Sequence, residues 1–171
     1  IQGYAVTAIR VTSYDKEGTA HVLSSEYESI PEVVEDTPDI INRLKQLQIQ
    51  LPEDVEQKTI VIESKGKGTI SGAALEVDDT ISVSNKDLLL MTLMPNANVE
   101  VELQIDLGRG YVPAELNEKY VEVIGTIPID AIFSPIQRCR FEVENTRVGQ
   151  RTDYDKLILE IWGDGTIKPE D

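Results

Sequence analysis

The chain has 171 residues, 40% hydrophobic and 27% charged, a balance ordinary for a globular protein with one substantial core or two small ones. Thirty-one acidic against sixteen basic residues give a formal net charge of −15, which repels phosphate backbones and argues against direct DNA or RNA binding. No apolar run approaches the roughly 20 residues of a membrane span, and no basic amino terminus leads into an apolar core as in a secretory signal.

Residues 4–11 and 20–24 read as two strands joined through Asp15, Lys16, Glu17 and Gly18, whose Asp and Gly suit a turn. Thr37 then offers an N-cap oxygen, and Pro38 has its fixed φ ready for a first helical residue. Ile40, Ile41, Leu44 and Leu47 recur at helical spacing, so a helix is expected over residues 38–46, with Asn42, Arg43, Lys45 and Gln46 outward.

From Leu47 onward strands dominate. Leu47, Ile49 and Leu51 alternate with Gln48 and Gln50, and residues 59–63 form a short β-branched run. After a break at Lys65, Gly66, Lys67 and Gly68, read as a hairpin turn, strand-like runs follow at 69–75, 80–84 and 88–94. Residues 99–107 alternate most cleanly. Val99, Val101, Leu103, Ile105 and Leu107 are expected on a buried face, and Glu100, Glu102, Gln104 and Asp106 on a face meeting water. An acidic loop is expected over 115–122. The run 123–133 returns to the core, with Pro128 suiting an edge or a bend.

At the carboxyl end, Cys139, Phe141 and Val143 share one strand face, while Arg138, Arg140 and Glu142 share the other. Leu157, Leu159 and Ile161 alternate likewise with Ile158, Glu160 and Trp162. The run RVGQRTDYDKL at 147–157 joins these strands, longer than the usual connection of roughly 4–6 residues. So polar a connection is either a solvated hairpin end or a place for contact residues. Arg151 and Asp153 are expected to bridge each other or a partner there. The pattern as a whole gives a β-rich α+β fold, with antiparallel sheets and one main helix.

The ingredients of catalysis are scarce. His21 has no second His or Cys at ligand spacing, so it reads as a strand residue. Cys139 has no local His partner and sits mid-strand on an apolar face, the pattern of a buried structural thiol in a reducing compartment. The Lys65–Thr69 stretch KGKGT lacks the spacing of a phosphate loop. Asp153 and Asp155 are a close acidic pair whose side chains share a face in extended chain, flanked by Arg151 and Lys156. They could hold an ion or, with the 115–122 acids, serve a carboxylate- or metal-dependent hydrolase; ion pairing with the flanking bases is the simpler reading.

Several strings are rare as words: GYAVT at 3–7, IPEVVEDTPDIINRLKQL at 30–47, GRGYVPA at 108–114, DAIFSP at 130–135, RVGQRTDYDKL at 147–157 and DGTIKPED at 164–171. In this order, across nearly the whole chain, they resemble the amino-terminal domain of the bacterial RNA polymerase α subunit. The resemblance implies an insert domain over 3–134 and part of a dimerisation domain over 135–171. The helices that dimerise the family would lie before Ile1 and after Asp171, and a chain opening at Ile1 rather than Met reads as a piece of something longer.

The resemblance further implies a cytoplasmic, non-catalytic assembly scaffold that homodimerises in full length and holds the large β and β′ subunits. No cofactor, nucleic acid or membrane is implied for this part. Asp39, Lys45 and Ile129 match family positions implicated in large-subunit contacts. Gln150, Arg151, Asp153, Asp155 and Lys156 are expected as further contact residues, and Gly108, Arg109, Gly110, Tyr111 and Pro113 as a structural motif. The chain departs from the family at Glu32, where Gly is usual, and at Arg43, where Asn is usual. Pro38 falls inside the family's helical stretch, and the 115–122 loop is shorter than the one some activators use.

Overall fold

A computed structural model describes residues 1–121, 123–168 and 170 of the chain. Glu122 of the expected acidic loop, and Pro169 and Asp171 of the closing motif, lie outside the described residues. In chain order the strands are β1 (Gln2–Tyr14), β2 (Ala20–Val22), β3 (Ile49–Gln50), β4 (Gln57–Lys65), β5 (Gly68–Ser71), β6 (Ser82–Val83), β7 (Leu89–Leu93), β8 (Asn98–Arg109), β9 (Tyr111–Val112), β10 (Ile127–Pro128), β11 (Ala131–Ile132), β12 (Ile136–Val148) and β13 (Arg151–Gly163). Helix α1 (Thr37–Leu44) lies between β2 and β3, and the short helix α2 (Ala114–Asn117) follows β9.

Among the described residues, a seven-stranded antiparallel sheet runs β4-β8-β1-β3-β6, with β2 and β10 also paired to β1. Two-stranded ribbons β5-β7, β9-β11 and β12-β13 complete a β-rich α+β fold with one main helix, as the sequence pattern implies. Pro128 sits in the short edge strand β10, opposite Ala8.

The β1–β8 pair explains how one face stays apolar. On β8 the core residues are odd-numbered throughout: Val99, Val101, Leu103 and Ile105. On β1 they switch from even (Tyr4, Val6) to odd (Ile9, Val11), because the register shifts between Val6 and Ala8. Thr7 is the extra residue of this bulge. Its carbonyl accepts the amide of Ile129 at 3.0 Å, so the interruption of the ladder is used to hold another segment. Helix α1 turns Ile40, Ile41 and Leu44 into the same core, with Leu75, Leu90 and Leu93.

Four expectations need correction. The N-cap of α1 is Asp36, not Thr37; the Thr37 hydroxyl instead donates to the carbonyl of Glu28, and Pro38 lies within the first turn. The 115–122 stretch opens as helix α2 and a tight helical turn over Glu118–Tyr120 rather than a loop. Pro113 precedes that helix with extended backbone, and no Gly or Asp marked the turn in sequence. The turn after Lys65 does not close a hairpin: β4 pairs with β8, whereas β5 pairs with β7. Lastly, Asp106 is buried on the face assigned to water, beside the buried Thr7 and near the small cluster of Ala5, Ala131 and Phe133.

The eleven-residue connection also contracts. Strands β12 and β13 run in register nearly to the tip, Val148 facing Arg151, and only Gly149 and Gln150 turn the chain. Gly149 has φ +65°, which a hairpin turn of two residues favours at its first position.

Candidate functional site

The expected contact residues fall into two places, one on the sheet body and one on the hairpin β12–β13. On the body Lys45 and Ile129 meet at Asp130. Lys45, just past the end of α1, reaches it at 3.0 Å, and the amide of Ala114 donates to the other carboxylate oxygen at 2.9 Å. The Tyr111 side chain is a neighbour of this carboxylate. Lys45 and the Ala114 amide, offset only in part by burial, hold the Asp130 carboxyl below the ordinary carboxylate range. Partial burial and then the Asp130 charge push the Tyr111 phenol up.

Neighbouring bonds fix the same segment. Asn117, buried at the end of α2, donates its side-chain amide to the carbonyl of Ile129 at 2.8 Å, and Phe133 donates its amide to Gly110 at 2.8 Å. Three stretches distant in sequence are thus tied into one surface: α1, the GRGYVPA motif and the DAIFSP motif.

This arrangement revises the site residues. Lys45 is half-buried and ion-paired, not free on an outward face. Ile129 is 2% exposed and belongs to the core, so it cannot touch a partner; it positions Asp130. Asp39 is exposed in the first turn of α1, where a carboxylate suits the helix dipole. The apolar part of the surface is Tyr111, 60% exposed, with Ile132 directly across the β9–β11 ribbon at 53%. Sequence reasoning missed Ile132, because an isoleucine two residues before Ser-Pro reads as core.

Within the motif, Gly108 and Gly110 have different tasks. Gly110 turns the chain from β8 into β9 with φ +64°, leaving Arg109 exposed. Gly108 faces Gly3 across β1–β8, and Phe133 lies over the pair. A Cβ on Gly108 would stand 2.8 Å from the Phe133 ring, and one on Gly3 would stand 1.9 Å from its carbonyl oxygen. The GYAVT, GRGYVPA and DAIFSP strings therefore share one close packing contact.

The hairpin is a projecting, two-faced ribbon. Cross-strand pairs Cys139–Ile161, Phe141–Leu159 and Val143–Leu157 make one apolar face, as the alternation implies. In this chain that face is open: Phe141 is 69% exposed and Cys139 is exposed rather than buried. The other face carries Arg138 over the Trp162 ring at 4.8 Å and Arg140 bonded to Glu142 at 3.0 Å.

Gln150, Arg151, Asp153, Asp155 and Lys156 are all exposed near the tip. Arg151 reaches the Tyr154 hydroxyl at 3.5 Å and makes no ion pair with Asp153 among the described residues, so the expected bridge is absent. Asp155 faces Asn145, and Lys156 faces Glu144.

The acid pair that a hydrolase would need is not brought into a pocket. Asp153 and Asp155 meet water, and among the described residues no group of three or more His, Cys, Asp or Glu side chains is placed to hold a metal. His21 lies on β2 with its Nε2 2.5 Å from Glu28, whose carboxyl is lowered to about 2 by bonds from Ser24 and then His21. The buried carboxylates are structural. Burial raises Glu35, but bonds from Thr92 and Arg43 outweigh it and leave the carboxyl lowered. At Asp106 burial prevails over bonds from Thr7 and Gln104, and the carboxyl is raised. Among the described residues no helix is long and apolar enough to cross a membrane.

A family model described as the RNA polymerase Rpb3/RpoA insert domain matches residues 9–134. The chain is 50% identical over 171 residues to a DNA-directed RNA polymerase subunit alpha of Treponema pallidum, covering all of this chain and 49% of that protein. A protein of the same name from Leptospira biflexa is 50% identical over 173 residues, and one from Borreliella burgdorferi 46% over 172, each matching all of this chain and 50% of the relative. The chain thus spans about half the length of the curated relatives it matches.

Proposed function

The chain belongs to the RNA polymerase Rpb3/RpoA insert domain family, and from that premise we propose that it is a non-catalytic assembly module of a bacterial RNA polymerase. On this reading residues 3–134 form the insert domain and 135–171 part of a dimerisation domain. The protein works in the cytoplasm, homodimerises in full length, and holds the β and β′ subunits. The observation that carries the reading is the whole-chain match at 50% identity to polymerase alpha subunits, joined to a structure whose contact-ready residues are surface groups. The chemistry of nucleotidyl transfer then belongs to the complex and not to this chain.

The surface around Asp130 suits the role. It presents an exposed aromatic and an exposed aliphatic side chain beside a partly shielded ion pair, and buried aromatic anchors dominate many protein interfaces. Asp39 is an exposed carboxylate of the same body. The test is capture of each purified large subunit by the full-length chain. Tyr111→Ala with Ile132→Ser leaves the core untouched and is expected to weaken capture by at least about tenfold, the loss of one good anchor. Unchanged capture of both large subunits would remove this surface from the interface.

A further inference from the structure

We propose that the outer edge of β4 is a docking edge for an extended segment of a protein partner, one that alternates basic with apolar residues. The backbone shows which groups are open. Leu107 donates its amide to Glu56 at 2.8 Å, and Gly66 donates its amide to Ala97 at 2.7 Å. Between these two bonds the register with β8 runs without a break, from Gln57 opposite Asp106 to Lys65 opposite Asn98. In an antiparallel pair the bonded positions alternate, so the even-numbered residues of β4 turn their amides and carbonyls toward β8. Gln57, Thr59, Val61, Glu63 and Lys65 turn theirs away, and among the described residues no other strand pairs with them. All five are exposed.

Edges of this kind are usually blunted by proline, a bulge or an inward-pointing charge. Strand β4 is nine residues long, without proline or register shift. Its inward-facing Lys58 is already held by Asp78 at 2.5 Å.

The charges beside the edge specify the partner. Glu63 lies directly opposite Glu100, and Val61 directly opposite Glu102, on the open face of the sheet. Like charges opposite one another destabilise a sheet, and among the described residues no ion pair neutralises Glu63 or Glu100, whereas Glu102 has Arg10 directly across on β1. Glu63 and Glu100 also line a shallow depression with Tyr14 and Asn98. On a strand added to β4, residues opposite Glu63 share its face, and strands lie only about 4.8 Å apart. A lysine or arginine there reaches both carboxylates. The alternate residues fall on the other side, beside Ile60 and Ile62, where apolar side chains suit. This inference concerns the chemistry of one bound segment, whichever protein supplies it, and does not depend on the polymerase reading.

Amide exchange of the full-length chain tests it with two synthetic peptides of about ten residues, one alternating lysine and valine, the other glutamate and valine. The lysine peptide is expected to slow exchange at Thr59, Val61 and Glu63 by at least about tenfold, less so as salt rises. The glutamate peptide is expected to leave them unchanged. Val61→Pro removes an outward amide and spares the bonds to β8, so it is expected to lose the effect. Glu63→Gln with Glu100→Gln keeps the backbone and relieves the repulsion; it is expected to fold as well as the parent and bind the lysine peptide more weakly. No slowing by the lysine peptide, equal slowing by both peptides, or slowing undiminished in the glutamine double variant would overturn the proposal.

Discussion

Glu32 has φ +61°, in the left-handed region where a side chain costs roughly 1–2 kcal/mol. The conformation is held because its carbonyl accepts the amide of Met94 at 2.9 Å, while Val34 donates its amide to Thr92 at 3.0 Å. Glu32→Gly relieves the strain but adds unfolded-state freedom worth about 0.5–1 kcal/mol, so the net expectation is a gain of about 0.5–1 kcal/mol. A shift of the denaturant midpoint to lower concentration would contradict it. Asp106 is the opposite case, a carboxylate whose folded pKa is raised by burial. Its ionised form therefore disfavours the fold at neutral pH, and the penalty fades as pH falls through the raised pKa toward the ordinary one. Asp106→Asn is expected to be more stable at neutral pH by on the order of 1 kcal/mol, the advantage vanishing below the ordinary carboxylate pKa. Melting curves across pH decide this; an advantage that grows on acidification has the wrong sign. Asp130 runs the other way, since Lys45 lowers it, and the stability of that pair is lost as pH falls through the lowered pKa.

At the scale of elements, the hairpin and the edge strand differ in what holds them. Arg151 makes one long contact to Tyr154 at an exposed tip. Arg151→Ala is therefore expected to change stability by no more than about 0.5 kcal/mol, in contrast to a buried anchor. A loss near 2 kcal/mol would show that the tip orders the ribbon. How much of this was legible varies with physical cause. Strand β8 and helix α1 were readable because each buries one face of a regular period, and the apolar faces of β12 and β13 were readable for the same reason. The bulge at Thr7 was not, since switching core residues from even to odd looks like ordinary noise in a β-branched run. Nor was the hairpin's length, because charged residues hide a strand that is exposed on both faces. Strands β3 and β6, two residues each, fall inside the strand-like runs 47–51 and 80–84, but so short a strand could not be bounded from the pattern. Of the site, the separate motifs were visible but their convergence was not. That Asp130 joins Lys45 to the GRGYVPA motif depends on contacts spanning 85 residues.

For the whole molecule, a net charge of −15 opposes association, while the apolar face of β12–β13 favours it. Repulsion between exposed charges is screened within about 8 Å at physiological salt, whereas apolar contact is not. The 171-residue chain alone is therefore expected to be monomeric when dilute and to self-associate weakly as concentration and salt rise, seen by light scattering. A tight dimer at low salt and nanomolar concentration would mean that the described surface dimerises unaided. We propose that the full-length protein organises a polymerase without catalysing the reaction itself. Reconstitution from purified subunits measures this directly, with nucleotide incorporation as the readout. The expected result is no incorporation by this protein alone, and active complex from β and β′ only when it is added. Incorporation by the protein alone, or full activity from the large subunits without it, would contradict the account.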